Sequence, residues 1–159
     1  MAGIRIFKLD MTDRFTGDAM TLEGGRSFEG ESPFYIAVEL TRWEMTVEEA
    51  GRVATAAGRL SGRIGRAGQK RERPKPGPIF RQKLSTEDQT VAAIIELGLC
   101  AVDDIDAVYF EFAGMRVALD DEYGANLLGA LERFAGDIAD MKRGSGEVYP
   151  FFLRPDWGF

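Results

Sequence analysis

Val108-Tyr109-Phe110-Glu111-Phe112-Ala113-Gly114-Met115-Arg116-Val117-Ala118-Leu119 decides how this chain is read. Apolar side chains alternate on both sides of Ala113-Gly114, at Val108, Phe110 and Phe112 and again at Met115, Val117 and Leu119. Period-two alternation is the signature of a strand with one buried face. A two-residue turn at Ala113-Gly114 pairs 112 with 115, 110 with 117 and 108 with 119. All six apolar residues then share one face, and Glu111 stands opposite Arg116 on the other. The stretch is an antiparallel hairpin with Phe110 in the core.

Helical signals lie on both sides of it. Downstream, Asp121 is placed to cap a helix whose apolar face is Tyr123, Leu127, Leu131, Phe134, Ile138 and Met141. Lys142 and Arg143 suit its negative end, and Gly144 is expected to stop it. Upstream, Ser85-Thr86-Glu87-Asp88 reads as the start of another helix, with Val91, Ile94 and Ile95 buried and Gly98 just past its end. Thr46-Val47-Glu48-Glu49 is a capping box and opens a third helix, expected to end near Gly62 or Gly65. Ala50, Ala54, Gly58 and Gly62 form a smooth ridge along it, read as tight packing on the sheet, with a homodimer seam as the alternative.

Strands are expected at Ile4–Met11, at Phe34–Thr41 with Phe34, Ile36, Val38 and Leu40 on one face, at Ile79–Leu84, and at Val148–Leu153. Residues 12–33 are long for a plain loop, so a short hairpin is expected around Gly24-Gly25. Residues 1–159 thus read as a single α+β domain, an antiparallel-rich sheet with about three helices packed mainly on one face. No internal repeat is apparent in the sequence.

The charge is segregated. Arg63, Arg66, Lys70, Arg71, Arg73, Lys75, Arg81 and Lys83 form a basic island on a chain whose net charge is −6. The segment 66–78 is rich in Pro, Gly and charge, so it reads as a mobile basic loop. These eight cations are the candidate contacts for nucleic acid or another anion. The loop itself holds no aromatic residue for base stacking, so nucleic acid stands as the alternative and another protein as the leading partner.

The chain has no histidine and one cysteine, Cys100. That removes the commonest neutral-pH base and the usual zinc ligands, so no catalytic residue, cofactor or metal site is expected. Asp103, Asp104 and Asp106, and again Asp120, Asp121 and Glu122, are read as turn and cap residues before they are read as cation ligands. The C-terminal segment is rich in aromatics, and Trp157 and Phe159 are candidate anchors for a partner. No run of residues approaches a membrane span or a signal peptide, so a cytoplasmic location is expected. The leading expectation is a small protein-binding module. It would be an inhibitor or immunity-type protein masking a basic toxin or nuclease, or a phage or secretion accessory subunit. Asp103, Asp104, Asp106, Trp157 and Phe159 are its contacts, and a carboxylate- or metal-dependent enzyme is the remaining alternative.

Overall fold

The computed structural model describes residues 3–28, 32–70, 75–86 and 92–146. Its elements run β1 (Gly3–Thr12), β2 (Ala19–Ser27), β3 (Phe34–Val38), β4 (Thr41–Met45), α1 (Val47–Lys70), β5 (Gly77–Thr86), β6 (Ala92–Val102), β7 (Ile105–Phe112), β8 (Met115–Leu119) and α2 (Asp121–Gly146). The class is α+β, with two helices among the described residues where about three were expected.

The strands form an antiparallel meander in sequence order. It is two four-stranded halves, β1–β4 and β5–β8, and among the described residues the ladder between them pairs Trp43 with Thr86 and Glu44 with Ser85. Both helices and the inner faces of both halves share one core, built on Phe34, Ile36, Leu60, Leu97, Phe110, Phe112, Leu131 and Phe134. The β7–β8 hairpin has the expected register, with Phe112 opposite Met115, Phe110 opposite Val117 and Val108 opposite Leu119. Ala113 and Gly114 both take positive φ, as the turn requires.

The stretch expected to be the helix after Ser85 is strand on both sides of residues 87–91, which lie outside the described residues. In β6 the side chains of Ile95, Leu97 and Leu99 are buried toward the core while Ile94 is 44% exposed. That is a period of two, concealed in the sequence by an isoleucine on each face. Gly24 and Gly25 lie inside β2 and make no turn, which falls at residues 13–18 instead. A Cβ on Gly24 would meet Phe7 Cζ at 2.5 Å and Phe134 Cζ at 2.9 Å, so these glycines admit crossing rings. The strand begun at Phe34 ends at Val38, and Leu40 is fully exposed in the turn that follows.

The capping box at α1 is formed in both directions. Thr46 N donates to Glu49 Oε1 at 2.9 Å, and Glu49 N donates to Thr46 Oγ1 at 3.1 Å. The helix runs past Gly65 to Lys70, so Arg66 belongs to it and not to a loop. Residues 71–74 lie outside the described residues. The small ridge of α1 meets α2 at Gly58, where a Cβ would lie 3.7 Å from Glu132, and the neighbouring Gly51 also faces α2, with a Cβ 3.7 Å from Ile138. The cap of α2 is Asp120, one residue before the expected one, with Tyr123 N donating to Asp120 Oδ1 at 2.9 Å.

The two halves repeat one path, ββββα. Thr41–Met45 corresponds to Met115–Leu119 and Val47 to Asp121, each 74 positions apart. The buried positions of α1 at Ala50, Val53, Ala54, Ala56, Ala57 and Leu60 fall on Gly124, Leu127, Leu128, Ala130, Leu131 and Phe134 of α2 at the same separation. In the first two strands of each half the separation is 73, and a register shift after Arg5 in β1 recurs after Pro78 in β5. The repeat escapes a reading of the sequence because few of the corresponding residues are identical.

Candidate functional site

Sheet geometry places one polar constellation on each half, on the face turned away from the core. In the second half, Tyr109 of β7 lies across Gly98 of β6, where a Cβ would meet its Cε2 at 2.8 Å. The Tyr109 hydroxyl donates to Glu96 Oε2 at 2.5 Å. Arg116 covers the ring, its guanidinium carbon 4.0 Å from the centroid, and its Nε donates to Glu111 Oε1 at 2.8 Å. Arg81 holds the other oxygen of Glu96 at 2.8 Å.

The first half repeats this. Tyr35 lies across Gly25, donates to Glu23 Oε2 at 2.6 Å, and is covered by Arg42 at 3.8 Å. Both tyrosines are held protonated. Burial, and then the neighbouring Glu23, push Tyr35 up to about 12. Burial and then Glu96 push Tyr109 up as well. An arginine stacked on a ring, with its donors used by carboxylates, fixes three adjacent strands together. We read these constellations as clamps, since each one fills the gap over a glycine and leaves its carboxylate satisfied.

Asp13, like Glu96, is a buried carboxylate. Its Oδ1 accepts from the amides of Phe15 and Thr16, at 2.8 and 2.9 Å, and its Oδ2 accepts from Ala118 N at 2.8 Å. Burial opposes its charge, but the three amides together hold its carboxyl below the ordinary value of 3.8. It ties the β1–β2 turn to β8, where Arg14 N also donates to Ala118 O at 2.9 Å.

Of the expected partner contacts, Asp103 and Asp104 form the β6–β7 turn and are both exposed, with φ of 51° and 64°. Asp106 is half-buried, and its backbone carbonyl accepts from Arg14 at 3.1 Å. Val102 and Ile105 flank the turn at 41% and 45% exposure. Trp157 and Phe159 lie outside the described residues. Among the described residues no three His, Cys, Asp or Glu side chains converge as cation ligands. Burial pushes the Cys100 thiol up, away from a reactive thiolate.

The described members of the basic island fall on different elements. Arg63 and Arg66 lie on α1, and Lys70 ends that helix. Arg81 and Lys83 project from the outer face of β5, beside a shallow groove of about 550 Å³ that Ile94 and Glu111 also line. Lys75 lies in the link before β5, and Arg71 and Arg73 lie outside the described residues. What sequence reading missed is Arg52 and Arg59, which join Arg63 and Arg66 along one exposed side of α1. The signal was their helical spacing, masked because the two residues precede the island.

No described helix is long and apolar enough to cross a membrane. In comparisons with known proteins, no family model, curated protein or solved structure matches the chain.

Proposed function

We propose that the chain is a non-enzymatic protein-binding module that presents the β6–β7 tip to a basic partner, in the manner of an inhibitor that masks a toxin or nuclease. The observation that carries this reading is the tip itself. Val102 and Ile105 expose aliphatic surface on either side of two exposed carboxylates, on a two-residue turn held at positive φ. Exposed aliphatics beside charge give a partner both an apolar anchor and a steering field. The fixed backbone limits the ordering cost of binding. The buried carboxylates Asp13 and Glu96 are engaged in structural bonds, which suits a scaffold more than a general acid or base.

Asp103→Asn with Asp104→Asn tests it. Asparagine tolerates the same positive φ and removes both charges. The partner recovered by the native protein should bind the double variant about tenfold more weakly, with a smaller response to salt and an unchanged melting temperature. Unchanged affinity would move the interface off this tip.

A further inference from the structure

The repeated halves supply an internal comparison. On α1 the exposed residues Arg52, Arg59, Arg63 and Arg66 follow steps of seven, four and three, which keeps them on one side of the helix over about 21 Å. The corresponding positions of α2, 74 residues on, are Asn126, Arg133, Asp137 and Asp140. The same helix in the same fold therefore keeps one cation, Arg133, and carries two acids where α1 has arginines. Arg59, Arg63 and Arg66 make no ion pair with a described carboxylate, and Arg52 donates to Gln82 Oε1 at 3.0 Å. Among the described residues, no carboxylate accounts for Arg59, Arg63 and Arg66.

Beside it, α1 and Phe80 of β5 line a shallow, open hollow of about 440 Å³. Arg52 and Arg59 stand on its rim with Glu48, Gly51 and Thr55 give it small walls, and half-buried Phe80 supplies an aromatic face. A cationic track next to an aromatic hollow is the pattern that holds unpaired bases: phosphates on the track, a base against the ring. Guanidinium groups suit this because each can bond a phosphate through two parallel donors. A duplex keeps its bases stacked inside and cannot use the hollow.

We propose that the α1–β5 groove binds single-stranded nucleic acid, with the strand's phosphates along Arg52, Arg59, Arg63 and Arg66 and one base over Phe80. Glu48, the one acid at the rim, accepts a hydrogen bond from an exocyclic amine, so cytosine is a fitting probe. The site lies on α1 and β5, away from the β6–β7 tip, and stands or falls independently of the protein-binding reading.

The experiment is fluorescence anisotropy of a labelled oligo-dC of about 20 nucleotides at low salt, with binding that falls steeply as salt rises. Arg59→Glu with Arg63→Glu should weaken it about tenfold or more, and Phe80→Leu, which leaves the charge intact, by about threefold. Arg133→Glu, at the position of α2 that corresponds to Arg59, should leave it unchanged. If the charge-reversed pair fails to fold, Arg59→Gln with Arg63→Gln should still weaken binding by about threefold. The proposal is overturned if oligo-dC does not bind, or if Arg133→Glu weakens binding as much as the α1 pair. Competition by polyglutamate of equal charge as effective as by unlabelled oligo-dC overturns it in favour of an acidic protein. Stronger competition by duplex overturns the role of the hollow.

Discussion

A single buried carboxylate links the two ends of the meander, and its chemistry sets a pH dependence. Asp13 accepts three amide hydrogen bonds, and its folded pKa lies below the ordinary value of 3.8. A group depressed by folding stabilises the fold above its unfolded pKa, and that contribution is lost as pH falls through the folded value. The native protein should therefore lose urea resistance as pH drops below about 4. Asp13→Asn should cost about 1–3 kcal/mol at neutral pH, because an amide nitrogen would face a backbone donor. The variant should also show a flatter acid limb. Native and variant midpoints that fall in parallel between pH 5 and 2, on the order of those values, would remove Asp13 from the acid response. Nothing in the sequence marks this residue, since its partner Ala118 lies in β8 and the contact exists only once β1 and β8 meet.

At the scale of the element, glycine separates what local pattern reveals from what packing decides. Gly65 lies in α1 with open space where its Cβ would be, so Gly65→Ala should stabilise the protein by about 0.5–1 kcal/mol. Gly98 lies in β6, where a Cβ would be 2.5 Å from Gly77 O and 2.8 Å from the Tyr109 ring. Gly98→Ala should destabilise it by about 1–3 kcal/mol. Opposite shifts of the urea midpoint are the expected result, and shifts of the same sign would mean that the Tyr109 clamp yields freely. The legibility of the elements follows the same division. The β7–β8 hairpin and the capping box of α1 were readable because their determinants are neighbours in sequence. β6 was not, because Ile94 faces outward and an apolar pair at Ile94-Ile95 fits a helix as well as a strand. The clamps at Tyr35 and Tyr109 were hidden too, since their members come from three or four strands each. The basic island misled for a related reason: counting charge along the chain groups Arg63 with Lys83, whereas folding groups Arg63 with Arg52.

For the whole molecule the question is whether the two repeated halves are independent units. Their aromatic packing runs from one half into the other. Phe134 of α2, in the second half, meets Phe7 and Phe34 of the first half edge-on, with both centroids at 5.6 Å. Trp43 of the first half lies 4.4 Å from Phe112 of the second. The two helices also pack on each other across the join. Separated halves would each expose the side of a helix that the other now covers, and a unit of about 70 residues has little core to spare. The intact chain should therefore unfold in urea as one cooperative transition, with tryptophan fluorescence and far-ultraviolet circular dichroism coincident. Phe134→Ala should cost about 3–5 kcal/mol and should lower the stability of both halves together. Fragments cut within residues 71–74 should be largely unfolded alone and regain strand and helix signal when mixed. Two transitions in the intact chain, or a first fragment that folds unaided, would show instead that each ββββα unit carries its own stability and that the shared aromatic core contributes little to it.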